Sequence, residues 1–159
     1  MSFDVTVITV VKNDLASLKK TVASVREQKE VNIEHIVIDG GSNDGTQAWL
    51  EKLQPPLPNW SSKSDQGPYD AMNMGRAMAN GQWIQFLNAG DRYYDADSLS
   101  LLVKVAKPDL QLVYGDVWRD SVDENKSITD QPITHCESPM LRRQRPIWSC
   151  GIFNNVCHQ

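Results

Sequence analysis

The seven residues Val5-Thr6-Val7-Ile8-Thr9-Val10-Val11 are β-branched without exception. Such side chains are stiff at χ1 and fit a pleated sheet better than a helix. A run this apolar, with no charge in it, reads as a strand covered on both faces. That is the signature of a central strand in a parallel sheet with helices above and below.

The next hundred residues repeat the alternation. Asn13 or Asp14 is placed to cap a helix in which Leu15, Leu18, Val22 and Val25 recur at helical spacing. Residues 33–38 read as a second strand, closed by the turn-rich Asp39-Gly40-Gly41-Ser42-Asn43-Asp44-Gly45. A short helix over 46–53 is stopped by Pro55, Pro56 and Pro58, and 59–64 is a weaker strand. Pro68 suits the first turn of a helix running to about Asn80, with Gly81 expected to terminate it. A strand over 83–87 follows, then a helix marked by Leu99, Leu102, Val103 and Ala106 and ended by Pro108. Residues 110–117 read as a further strand. Beyond them, 119–131 is polar and turn-like, and 132–159 shows no clear period.

Strand and helix alternating at this pitch implies parallel strands joined by right-handed crossovers in an open α/β sheet. Ligands of such sheets bind outside the carboxyl ends of the strands. Asn13, Asp14, Asp39, Asp65, Asn88, Asp91 and Asp116 would all fall on that rim. Asp14, Asp44, Asp95 and Asp97 stand where helix caps are expected. Asp39 and Asp91 have no such duty. The first directly ends a strand, and the helix after the second has its own capping candidates.

Neither a dinucleotide fingerprint nor a phosphate-binding P-loop occurs. A phosphate-bearing ligand would therefore be held by a divalent cation bridging it to a carboxylate. Mg2+ or Mn2+ needs only one or two protein carboxylates for this, with phosphate and water completing its shell.

Composition narrows the partners. At 159 residues and 40% hydrophobic, the chain suits one domain with a real core. A net charge of −4 argues against a general nucleic-acid partner. No apolar run approaches the roughly 20 residues of a membrane span. The N-terminal MSFDVTVITV lacks the pattern of a signal peptide, so a cytoplasmic chain is expected. Three cysteines outside any C-x-x-C spacing do not suggest a disulfide framework. His135, Cys136, Cys150, Cys157 and His158 match no usual zinc spacing and read as isolated residues. Arg142, Arg143 and Arg145 form the basic cluster of the chain, either a solvated face or a contact for diphosphate or anionic lipid.

The segments VITVVKND, VIDGGSNDGT, SDQGPYDAMNMGRAMANGQWIQFLNAGD and VYGDV, in this order and spacing, resemble family 2 glycosyltransferases of the GT-A fold. The nearest likeness is to bacterial enzymes that build colanic-acid-like exopolysaccharides, and the terminal CHQ resembles a later family segment. The resemblance implies a Rossmann-like, mostly parallel sheet and a nucleoside-diphosphate-sugar donor, with uridine diphosphate the expected nucleotide. It implies that residues 9–13, with Thr9, Val11 and Asn13, lie along the nucleotide, and that Asp39 accepts from the base or ribose. Asp65, and the helix carrying Asp70 and Asn73, would flank the donor.

The family's metal motif usually reads as two adjacent carboxylates or D-x-D. Here Gly90 stands where the first often stands, leaving Asp91 as the anchor for Mg2+ or Mn2+ and Asn88 as an indirect partner. The implied reaction is transfer with inversion to a saccharide or lipid-linked acceptor, the latter bringing the protein to the inner face of the membrane. Residues 1–118 would form the donor core and 119–159 the start of an acceptor-side region, with the general base expected beyond Gln159. The competing expectation is a nucleotide-sugar-binding module without catalysis.

Overall fold

A computed structural model describes residues 3–107 and 109–115, and the backbone of 151–154. The elements run β1 (Val5–Val11), α1 (Leu15–Arg26), β2 (Ile33–Asp39), α2 (Thr46–Lys52), β3 (Asn59–Ser62), α3 (Pro68–Met78), β4 (Trp83–Phe86), α4 (Ser98–Val105), β5 (Leu112–Tyr114) and β6 (Gly151–Asn154). The sheet order is β3-β2-β1-β4-β6-β5. β1 lies between β2 and β4 and is parallel to both, and β3 is parallel to β2. The open α/β sheet read from the sequence is therefore present, with its central strand where the β-branched run put it.

Alternation along β1 divides the core. Ile8 and Val10 pack with Ile36, Ile38 and Ile84 against Ala71 and Met72 of α3. On the opposite face Val11 joins Val37, Leu18, Val22, Leu50 and Leu57 beneath α1 and α2. Val5 and Val7 pack with Val25, Trp83, Leu87, Tyr93 and Leu99. Each face is covered by helices, as a parallel sheet requires.

Three expectations are corrected. β6 is a strand the sequence pattern did not reveal, and it runs antiparallel between β4 and β5. Gly81 does not terminate α3, which ends at Met78 with an extended Ala79. It lies instead where a Cβ would stand 2.5 Å from the Thr6 backbone nitrogen, so only glycine fits. Asp97 precedes α4 without a side-chain cap bond; Asp95 instead accepts from Ser98 Oγ at 2.8 Å and Asp97 N at 3.0 Å.

Asp14 caps α1 by accepting from Ser17 N at 3.1 Å. Gly45 is the N-cap of α2, so Asp44 stands one residue before the cap rather than at it. Oδ1 accepts from Thr46 N and Oγ1, and Oδ2 reaches Leu15 N at 2.8 Å, tying the starts of α1 and α2 together. The Ser17 contact holds Asp14, and the Thr46 hydroxyl holds Asp44, below the usual carboxylate range.

At the other end of the sheet Glu34 is buried among donors. It accepts from Thr6 Oγ1 at 2.6 Å, Asn80 N and Nδ2 at 2.7 Å each, and Asn59 Nδ2 at 3.1 Å. This fixes the start of β2 to β1, β3 and the exit of α3. Such a carboxylate is tolerated inside because its acceptor sites are filled.

Candidate functional site

Because β1, β2, β3 and β4 are parallel, their carboxyl ends deliver residues to one edge of the sheet. Register pairs Val11 with Asp39 and Asp39 with Ser62, so these ends are level. Gly40 N donates to Val11 O at 2.9 Å and Lys63 N to Asp39 O at 3.0 Å, carrying the ladder to the rim. The rim is built from Asn13, Asp39 to Asn43, Asp65 and Asn88 to Asp91.

Asp39 is 0% exposed. Ser42 donates to Oδ1 through its hydroxyl and to both oxygens through its backbone N–H, and Ser62 Oγ donates to Oδ2 at 2.6 Å. The carboxylate thus organises the Gly40–Ser42 turn from beneath. Ser42 Oγ also accepts from Asn13 N at 2.7 Å, while Asn13 Oδ1 accepts from Asn43 N at 2.8 Å. Asn13 holds a φ of 53°, a left-handed conformation that asparagine tolerates better than most residues. The two loops after β1 and β2 are therefore one hydrogen-bonded unit.

Asp65 lies beside this unit. Oδ1 accepts from Gly67 N at 3.0 Å, at the start of α3. Oδ2 would stand 2.6 Å from a Cβ on Gly40, so the carboxylate occupies the space a side chain there would need. Asp65 is half-buried at this corner.

The segment after β4 turns sharply. Leu87 N and Ala89 N donate to Ile8 O and Val10 O, and Asp91 N donates back to Asn88 O at 2.9 Å. Gly90 has a φ of 101°, the positive value that the third position of a type II turn demands. A carboxylate-bearing residue there would be strained. This gives a physical reason for glycine where the resemblance leads one to look for a second acid. Asp91 is half-buried at the turn's end, and the buried Asn88 Oδ1 has no hydrogen-bond partner among the described residues.

These donors suit a hard divalent cation that brings phosphate ligands with it, since they are oxygens and include one carboxylate. A cage built wholly from protein does not arise: no group of three or more His, Cys, Asp or Glu that could hold a metal occurs among the described residues. Asp91 would hold such a cation, with Asn88 adjoining.

The remaining expected residues are placed differently. Thr9 is fully buried and its Oγ1 lies 3.0 Å from His35 Nε2, beneath the rim. The Val11 side chain belongs to the core, and only its backbone reaches the edge. Asn73 is exposed on α3. Asp116, the arginine cluster, the cysteines, His135 and His158 lie outside the described residues.

The family model for glycosyl transferase family 2 matches residues 6–157. The chain belongs to glycosyl transferase family 2. An uncharacterized glycosyltransferase of Mycobacterium tuberculosis is 46% identical over 101 residues, covering 63% of this chain and 38% of the relative. A PGL/p-HBAD biosynthesis glycosyltransferase of Mycobacterium bovis is 33% identical over 140 residues, covering 77% of this chain and 53% of the relative. The chain thus spans between about two fifths and half of these family 2 proteins.

Among solved structures, the mannosyltransferase PcManGT from Pyrobaculum calidifontis, in complex with GDP-Man and Mn2+, aligns with a TM-score of 0.60. Identity is 24%, over 70% of this chain and 35% of that one. S. aureus TarS 1-349 in complex with UDP-GlcNAc aligns at 0.55 with 22% identity, over 61% and 29%. These likenesses establish the GT-A fold of the family 2 chain.

Sequence reasoning missed Ser42 and Ser62, which hold Asp39, and Thr21, which reaches the Asn88–Asp91 turn from α1. The signal for Ser42 was its place three residues after a strand-end Asp, an Asx-type spacing. Ser62 required the β2–β3 register, and Thr21 sat within a helix read only for its apolar stripe.

Proposed function

We propose that this chain is the donor-binding part of a glycosyltransferase that takes a sugar from a nucleoside-diphosphate sugar, with uridine diphosphate as the nucleotide. The observation that carries the reading is the meeting of Asn13, Asp39, Asp65 and the Asn88–Asp91 turn at one carboxyl edge, without a phosphate-binding glycine loop. GDP-Man with Mn2+ in one structural neighbour and UDP-GlcNAc in another support the diphosphate sugar as the ligand class.

In this reading the loops after β1 and β2 carry the nucleoside. Thr9 acts through the strand beneath it, Val11 through its backbone, and Asn13 through the loop it ties to Asn43. Asp39, buried and bonded by Ser42 and Ser62, orders the Gly40–Ser42 turn in place of the base or ribose contact that the resemblance implies for it. Asp65 offers Oδ2 to an N–H or hydroxyl of the nucleoside, and Asn73 lies along the donor's flank. Asp91, with Asn88, would hold Mg2+ or Mn2+. The cation supplies Lewis-acid stabilisation of the departing diphosphate.

Residues 1–118 form the donor core and 119–159 begin the acceptor side. The acceptor is a saccharide or lipid-linked glycan, met at the cytoplasmic face of the membrane, and the product belongs to exopolysaccharide or cell-surface glycan synthesis with inversion at the anomeric carbon. The PGL/p-HBAD biosynthesis name of one relative supports a cell-surface product. No helix among the described residues is long and apolar enough to cross a membrane. Calorimetric titration with UDP, GDP and their sugars in Mn2+ tests the proposal. UDP ligands are expected to bind most tightly, and a protein that binds none of them contradicts it.

A further inference from the structure

The hydroxyl of Thr21 lies at the centre of the contacts around the Asn88–Asp91 turn. The residue is fully buried in the middle of α1, where a β-branched polar side chain has no propensity advantage. The usual outlet for such a hydroxyl is the carbonyl one helical turn back, and Ser17 O does lie 3.3 Å away. Asp91 O is closer, at 2.8 Å, while Asn88 O is at 3.4 Å. One hydroxyl proton serves the nearest carbonyl best, so Thr21 donates to Asp91. Its oxygen accepts from Gly90 N at 3.0 Å. Both hydrogen-bonding capacities of one side chain are thus spent on the two residues that end the turn.

Thr21 belongs to a polar seam that runs from α1 into the residues after it. Ser24 Oγ accepts from Tyr93 N at 3.4 Å. Gln28 donates to Asp95 O at 2.6 Å and accepts from Leu99 N at 2.9 Å. Thr21 and Ser24 share a face of α1, and Gln28 follows just past its Glu27 cap, so α1 and its exit bind the segment after β4 from the turn to the start of α4. The apolar stripe of α1 packs on the sheet, and this second stripe holds the turn.

We propose that Thr21 is a positioning residue that fixes the Asp91 backbone so that its carboxylate meets a divalent cation. The inference rests on reading Asp91 as the cation anchor. Groups that orient a metal ligand typically contribute ten- to hundredfold in metal affinity.

The test is Mn2+ binding to the 159-residue chain with saturating UDP, read from the electron paramagnetic resonance of free Mn2+. T21V keeps the side-chain shape and loses the hydroxyl, and is expected to weaken Mn2+ binding by about tenfold or more. T21S restores the hydroxyl and should bind as the unmodified chain does. UDP affinity in a chelator should be the same for all three, which a general loss of structure would not allow. Should T21V not fold, G90A tests the same turn. A Cβ at Gly90 meets nothing closer than Ser17 Cβ at 3.8 Å, so only the positive φ is disturbed, and Mn2+ affinity should fall likewise. Mn2+ binding that D91N abolishes but T21V and G90A leave intact overturns the inference. Mn2+ binding that survives D91N overturns the anchor itself, and this inference with it.

Discussion

The carboxylate of Asp65 rests over the bare Cα of Gly40, so close that a methyl group there would stand 2.6 Å from Oδ2. Two loops from different strands thus share one corner of the rim only because residue 40 has no side chain. Gly40→Ala should push the Asp65 carboxylate aside, since the end of a side chain yields more readily than backbone. A hydrogen bond to a charged group contributes about 1.5–3 kcal/mol, so UDP affinity should fall by roughly tenfold or more. The melting temperature should hardly change. Titration calorimetry on a folded G40A protein checks this, and unchanged affinity would remove Asp65 from the nucleotide site.

The sequence made the parallel sheet legible because Val5–Val11 allows little else. It marked Asp39 and Asp91 because neither had a helix to cap. It did not reveal β6, whose antiparallel partners β4 and β5 lie far away in the chain. Thr9 could have been placed inward from alternation, sharing its face with Val7 and Val11, but the resemblance drew it toward the nucleotide. The serines around Asp39 became visible only with the register of β2 against β3. The seam of Thr21 and Ser24 on α1, continued by Gln28 beyond it, stays hidden because only Leu and Val carry the helical period.

Glu34 gives a prediction about stability alone. Its four partners are all donors, two on each oxygen. Glu34→Gln preserves shape but turns an amide N–H2 toward two of them. Breaking a buried charged network in this way costs about 3 kcal/mol or more. Urea unfolding should show the loss. Glu34 sits near the start of β2, remote from the rim at Asp39, so UDP affinity of the folded protein should be retained.

His35 supplies a pH dependence. Burial, with a smaller contribution from the Arg26 charge, lowers its pKa from 6.5 to about 3. The unfolded chain therefore binds a proton that the folded chain refuses over that interval. The stability contributed by the neutral ring is complete above pH 6.5 and is lost as pH falls toward about 3. One such group gives a slope of up to about 1.4 kcal/mol per pH unit. His35→Gln should flatten the dependence between pH 4 and 6, measured by urea midpoints, although carboxylates such as Asp14 and Asp44 leave a residual slope of the same sign. Parallel curves for the two proteins would show that His35 does not titrate differently on folding.

In the proposed function, the Asn88–Asp91 turn and the strand-end rim hold a nucleoside diphosphate through a divalent cation. UDP binding, measured by calorimetry in Mn2+ and again in excess chelator for the unmodified chain and for Asp91→Asn, tests this. Binding at least about tenfold tighter with Mn2+ is expected, a gain that D91N removes while its circular dichroism stays native. Equal UDP affinity with Mn2+ and with chelator, or a Mn2+ gain that survives D91N, would contradict it.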